Sequence, residues 1–264
     1  MGVLDEWRGL WRSIKVYRLD KNHARALDEM HRDFAGPDDL VFDIGAHVGD
    51  RTASFRRLGA RVVVCEPQTN CLRVLRLLHG RDRDVTLLET AVSDREGVLT
   101  FSVNTRNPTV STLSTEFVTA ANAGAKGWEG QTWDKQVQVR ATTLDALIAK
   151  YGAPVFVKID VEGAEEQVLR GLSAPVPALS FEFTTIQRDV ADACLRRCAD
   201  LGYDRFNVSL GESQIMTFAS PVDAGTMRGH IAGLPHEANS GDIYALRDDW
   251  TGRTGLNMKG DTRE

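Results

Sequence analysis

Hydrophobic and polar positions change period again and again along this chain, and from residue 40 onward two patterns alternate. Short apolar runs at 41–44, 61–66, 85–89, 155–159 and 178–183 read as buried strands. Between them, stretches with apolar residues three and four apart read as helices: 52–58 closed by Gly59, 69–79, 144–150 capped by Thr143, the second half of 155–172 closed by Gly171, and 188–201 closed by Gly202. Strand alternating with helix predicts an α/β fold with a mainly parallel sheet covered on both faces. Residues 97–103 alternate like an exposed strand, 137–141 form another, and 203–210 with 243–246 read as two closing strands.

Three regions depart from this rhythm. Residues 1–35 carry Leu4, Trp7, Trp11 and Ile14 at helical spacing with Arg8, Arg12 and Lys15 elsewhere on the wheel, which predicts an amphipathic helical extension. It docks on its own domain or serves as a homo-oligomer interface, a substrate cap or a membrane-surface contact. Residues 104–136 are long, polar and without strong periodicity, yet hold Trp128 and Trp133; they read as a lid inserted into a main domain spanning 36–250. Residues 219–241, broken by Gly225, Gly229 and Gly233, read as a second insertion that walls a pocket, and 251–264 as a polar tail.

Composition narrows the function. A chain of 264 residues with 42% hydrophobic positions supports one large domain. A net charge of -5 provides no field for nucleic acid, and the arginines between 56 and 83 are interrupted by acids in the manner of a solvated helix face. The four cysteines, at 65, 71, 194 and 198, make no metal set. With no apolar run long enough to span a membrane and no leader pattern, a cytoplasmic protein is expected.

The chemistry concentrates in two stretches. The first, VFDIGAHVGD at 41–50, is an apolar run that delivers Asp43 into a glycine loop, the way open α/β sheets hold a ligand at strand ends. Its Gly45-x-x-x-Gly49 spacing is not the dinucleotide fingerprint, which presents backbone amides to a pyrophosphate. A carboxylate at Asp43 repels a pyrophosphate and attracts a sulfonium or ammonium, so the electrostatics favour S-adenosylmethionine over NAD. Glu66, followed by Pro67, ends the next strand 21 positions after Gly45, the distance at which an acid accepts hydrogen bonds from a ribose diol. After the third strand, Ala91 and Val92 stand where an adenine ring could be flanked.

The second stretch, VFVKIDVEGAEEQVLRGL at 155–172, places Lys158, Asp160 and Glu162 on one side of a strand by period-2 alternation. Ionisable residues in such a run are costly unless paired or functional. Glu182 stands near the end of the following strand. His47, in the glycine loop, and His230 and His236 are further base candidates.

VFDIGAHVGD, VVVCEP, AVSDREG, TTLDAL and above all VKIDVEGAEEQVLRGL followed by LSFEF resemble, in that order, the FkbM-type class I S-adenosylmethionine-dependent methyltransferases. The resemblance covers roughly residues 38–184. It implies a Rossmann-like seven-stranded sheet whose last strand is antiparallel, and O-methylation of a hydroxyl on a sugar, polyketide or related small molecule. It places Asp43, Gly45, Ala46, His47 and Gly49 around the methionine half of the cofactor, Glu66 and Pro67 at the ribose, Ala91 and Val92 at the adenine, and Asp160 beside the methyl group. On this reading Asp160 is the general base or orients it, Lys158 tunes its field, and Glu162 and Glu182 complete an acidic wall. In a variant, Asp160, Glu162 and Glu182 chelate Mg²⁺ that acidifies the acceptor hydroxyl. The alternatives are a non-catalytic scaffold that keeps the cofactor fold, an NAD-linked oxidoreductase and an RNA methyltransferase.

Overall fold

In a computed structural model of the chain, which describes residues 10–12, 14, 20–124 and 127–253, the apolar runs become the strands of one twisted sheet. In chain order the strands are β1 Leu40–Ile44, β2 Arg61–Cys65, β3 Val85–Leu88, β4 Ala91–Val92, β5 Gly97–Val103, β6 Lys135–Thr142, β7 Phe156–Ile159, β8 Ala178–Thr184, β9 Arg205–Leu210 and β10 Ser240–Leu246. Seven of them form the main sheet in the order β3-β2-β1-β7-β8-β10-β9. Every pairing from β3 to β8 is parallel, and β10, the last strand in the chain, runs antiparallel to both β8 and β9. The α/β class, the parallel sheet and the antiparallel last strand are therefore as expected. β4, β6 and β5 make a separate small sheet.

Burial on both faces explains why the strands read as continuous apolar runs rather than alternations. In β1, Phe42 and Ile44 join a core with Val157, Ile159, Phe181, Leu169 and Leu195. Val41, from the same strand, joins Val62, Val64, Phe55, Leu75 and Phe156 on the opposite face. The first core is covered by the helices Leu144–Tyr151, Glu165–Arg170 and Arg188–Asp200. The second is covered by Asp50–Arg57 and Thr69–His79, and by the helix Lys21–His31, which lies within the region read as an extension. His31 of that helix stacks on Phe55 at 4.2 Å and bonds Ser54 Oγ through Nδ1 at 2.9 Å. Phe34 and Trp250 stack at 5.3 Å, and Arg253 pairs with Asp39, so the start of the tail is tied to the domain.

At the N-terminus Leu4 and Trp7 lie outside the described residues. Leu10 and Ile14 pack on Val48, Cys71 and Val74, whereas Trp11 is 63% exposed, so docking uses Ile14 of the predicted stripe together with Leu10 and leaves Trp11 outside. All four cysteines are buried and free. The arginines of the predicted solvated face find acids: Arg56 pairs with Asp82 and Asp84, Arg57 with Asp28. Among the described residues no helix is long and apolar enough to cross a membrane.

The order of strands reverses between β1 and β7, the place where an open sheet leaves a crevice beyond its strand ends. Asp43 and Lys158 are direct partners across that junction.

Candidate active site

The glycine loop is shaped by one close approach. Gly45 follows β1 with φ +81°, and a Cβ there would stand 1.7 Å from the carbonyl oxygen of Asp160. Only glycine lets the two strand exits lie so near each other. Gly49 opens the helix Asp50–Arg57 with φ +79°, and its missing side chain makes room for Leu75. It therefore stays outside the cleft, whereas Asp43, Gly45, Ala46, His47, Glu66, Pro67, Ala91, Val92 and Asp160 all line one cleft.

Two carboxylates set the charge at its floor. Thr52 Oγ1 donates to buried Asp43, and burial outweighs that bond to push the Asp43 carboxyl up to about 6. Glu66, also buried, accepts backbone N–H bonds from His47 and Gln68, each at 2.8 Å and each on a different oxygen. With the Gln68 side chain bonded to it as well, about one of its roughly four lone-pair sites is left for a ribose hydroxyl. Burial raises Glu66 to about 7 despite both amides. If only the ionised form accepts the ribose, affinity for the cofactor product falls about ten-fold from pH 8 to pH 6. Calorimetric titration with S-adenosylhomocysteine at the two pH values checks this, and equal affinities would count against Glu66 as the ribose acceptor. His47, pushed down to about 4 by burial, is neutral throughout that range.

The second loop corrects the predicted alternation. β7 stops at Ile159, and Glu162 has φ +56°, so the chain turns before Glu162 instead of running on as a strand. The turn is held from below by Glu165, whose buried carboxylate accepts from Val161 N and Gly163 N at 3.0–3.2 Å. From above, Thr112 Oγ1 donates to the Glu162 carbonyl at 2.6 Å. Gly171, which closes the helix as expected, has φ -78°; glycine is needed there because a Cβ would meet the Ser93 carbonyl at 2.4 Å.

Sheet register then assembles a row of acids. Ile159 pairs with Phe181, so Asp160 stands level with Glu182, and Glu182 pairs directly with Asp242 of β10. Lys158 lies below this row, 1% exposed, and donates to Asp242 at 2.8 Å, Asp160 at 3.1 Å and the Ile159 carbonyl at 3.4 Å. Burial would lower its pKa, but Asp160 and Asp242 outweigh burial and keep it charged. Burial likewise opposes ionisation of Asp160, yet Lys158 and Arg51 hold that carboxyl below the usual range. Glu162 and Glu182 are driven the other way, well above it, by burial and by Asp160. Arg51 is itself paired with Asp50 and with Glu212 at 3.1 Å.

These acids separate two chambers. The cleft lined by Asp43 and Glu66 lies on one side; on the other is a second cavity walled by Asn107, Trp128, Thr184, Asn239 and Gly241, and Asp160, Glu162, Glu182, Arg51, Thr109 and Glu212 face both. Residues 104–136 roof the pair. They carry the helix Thr115–Asn122, whose Phe117 packs edge-on against Trp128 and Trp133, and Gln68 Nε2 donates to the Pro108 carbonyl at 3.1 Å. Residues 219–241 fold as the helix Ala224–Gly233 against Arg188–Asp200, and only 239–241 reach the second chamber. His230 packs on Phe218, His236 lies by Thr185, and neither lines a chamber.

The profile of the Methyltransferase FkbM domain matches residues 43–199, more than half of the chain, running from Asp43 through both loops. The chain belongs to the FkbM methyltransferase family. No curated protein matches it. Similar solved structures include a TehB-like S-adenosylmethionine-dependent methyltransferase from Corynebacterium glutamicum, at 10% identity over 92% of this chain and 97% of that one, TM-score 0.46. Precorrin-6y C5,15-methyltransferase from Geobacter metallireducens is similar at 15% identity over 88% and 91%, TM-score 0.43. Aeropyrum pernix fibrillarin, solved with natively bound S-adenosyl-L-methionine, is similar at 13% identity over 87% and 75%, TM-score 0.44.

The residues of this FkbM methyltransferase fit the cofactor. The loop leaves a cradle at Gly45 that a Cβ would fill, Glu66 keeps a lone-pair site free, and the cleft is lined by seven carboxylates against the two cations Arg51 and Lys158. Several of these acids are held up by burial, and a cationic ligand would favour their ionised forms, so the lining suits a positive charge. Arg51, Glu165, Glu212 and Asp242 were not among the residues singled out from the sequence. Asp242 lies outside the predicted closing strand 243–246; the strand starts at Ser240, and it is the antiparallel register on β8 that sets Asp242 beside Glu182.

Proposed function

We propose that this FkbM methyltransferase transfers the methyl group of S-adenosylmethionine to a hydroxyl oxygen of a small polar acceptor, such as a sugar or a hydroxylated metabolite. The observation that carries this reading is the acid partition between two chambers: a cofactor cleft and a polar second cavity meet at Asp160. S-adenosylmethionine, when bound, supplies an electrophilic methyl on a sulfonium. Glu66 holds the ribose, Asp43 and the wider acid lining favour the positive charge, and the Gly45 turn lets the ligand lie against the backbone.

Asp160 does the rest of the work at the acceptor. It accepts the hydroxyl hydrogen and points the oxygen lone pair at the methyl carbon, and orientation of this kind supplies roughly 7–11 kcal/mol in favourable cases. A carboxylate with a lowered pKa is a weak base, but the hydroxyl becomes strongly acidic as its oxygen bonds to carbon, so a weak base at the right place suffices. Lys158 touches no substrate; it positions Asp160 and keeps it charged. The 104–136 roof excludes water from both chambers.

Calorimetric titration with S-adenosylhomocysteine, with NAD as control, tests the cofactor half. Binding weakened on the order of ten-fold in Glu66→Ala is expected, from one charge-assisted hydrogen bond at about 1.5 kcal/mol. Failure of the folded protein to bind, or wild-type affinity in the variant, would remove this reading.

A further inference from the structure

Two of the carboxylates between the chambers have no counter-charge of their own. Lys158 commits its donors to Ile159, Asp160 and Asp242. Glu162 is only 7% exposed and faces both chambers. Oε2 of Glu182 is shielded from solvent and without a hydrogen bond, while the Glu182 carboxyl is otherwise bonded, among the described residues, only to Asp160 of the same cluster. The contrast with Glu165 is instructive: it lies on the same loop, is buried as deeply, and is saturated by backbone amides. Buried polar groups in folded proteins almost always find partners, and buried charges pair or bind metal.

Oxygen atoms of Asp160, Glu162 and Glu182 all lie within 4.8 Å of one another. Two oxygens on opposite sides of a bound Ca²⁺ are separated by about 4.8 Å, and by about 4.2 Å for Mg²⁺. An all-oxygen set of this kind selects a hard cation over zinc or copper.

We propose that Asp160, Glu162 and Glu182 bind one hard divalent cation at the junction of the two chambers. Its site stands on the geometry alone, and its purpose rests on the methyl-transfer reading. Facing the second chamber, the cation polarises the acceptor hydroxyl and lowers its pKa. The proton passes to water or to an Asp160 oxygen, the alkoxide oxygen bonds to the methyl carbon, and the carbon–sulfur bond breaks with its electron pair left on sulfur.

The test uses the full chain stripped of metal by chelation and titrated with Mn²⁺ near neutral pH, with free Mn²⁺ followed by electron paramagnetic resonance, alone and with saturating S-adenosylhomocysteine. One Mn²⁺ per chain is expected, bound at least about ten-fold more weakly by Glu162→Gln and by Glu182→Gln. Both variants should unfold at or above the wild-type urea concentration, since each removes an uncompensated buried carboxylate. No Mn²⁺ uptake by protein that binds S-adenosylhomocysteine overturns the cation site and leaves the cofactor reading in place. Wild-type Mn²⁺ affinity in both variants overturns it as well. Mn²⁺ uptake that both variants weaken, in protein that binds no S-adenosylhomocysteine, supports the site and removes the cofactor reading instead.

Discussion

Replacing Asp160 by Asn is expected to lower methyl transfer by about 10²–10⁴ while leaving affinity for S-adenosylhomocysteine within a few-fold. The substitution keeps the shape of the side chain and removes its capacity to take a proton. The fold should tolerate it, because Lys158 keeps Asp242 at 2.8 Å as a full counter-charge. The cofactor contacts proposed for Glu66, Asp43 and the Gly45 loop lie on other elements. The measurement is a single-turnover rate with an acceptor that the wild-type protein methylates, alongside calorimetry with S-adenosylhomocysteine. Near-normal turnover would take Asp160 out of the chemistry. Loss of cofactor binding in step with turnover would make it a cofactor ligand rather than a base.

How much of this was readable in the sequence follows from how far apart the cooperating residues lie. Asp43, Gly45 and Glu66 belong to two successive strand ends, and the parallel register of β1 on β2 brings those ends together with no other information needed. Short apolar runs followed by glycine loops therefore disclose the cleft proposed for the cofactor. Lys158 and Asp160 were legible for a different reason: charge inside an apolar run is conspicuous. What could not be read was the partner of that charge. Asp242 lies 84 positions after Lys158, on a strand inserted antiparallel between β8 and β9, and nothing local marks it as the neighbour of Glu182. Arg51 was hidden in plain view beside Asp50, because an arginine opening a helix normally reads as solvated, whereas this one is drawn inward to Glu212 from the β9–β10 connection. The roof over 104–136 is ordered by contacts such as Phe117 with Trp128 and Thr105 with Asp134, which have no periodic signature.

Lys158 then decides whether the acid row can exist at all. With Lys158→Met the stability of the protein should fall by about 3–5 kcal/mol, the usual consequence of removing one partner of a buried ion pair. The side chain is 2% exposed and is the cation closest to Asp160 and Asp242, while Glu162 and Glu182 stand beside them. Methionine fills the volume but leaves Asp242 with Arg51 at 4.0 Å as its nearest cation. The expected readout is a clear drop in the urea midpoint at unchanged slope. The double variant Lys158→Met with Asp242→Leu should regain more than half of the loss, because the charge left stranded by the first change is removed by the second. It should nevertheless remain slow in methyl transfer, since Asp160 is then free to turn away and to take up a proton. A single variant within about 1 kcal/mol of wild type would mean that the pair is of the ordinary exposed kind, whatever its burial suggests. A double variant as unstable as the single one would place the cost in lost packing rather than in stranded charge. Full activity in the stabilised double variant would release Asp160 from its dependence on Lys158, and would leave the cation proposed between Asp160, Glu162 and Glu182 as the remaining source of positive charge at the acceptor.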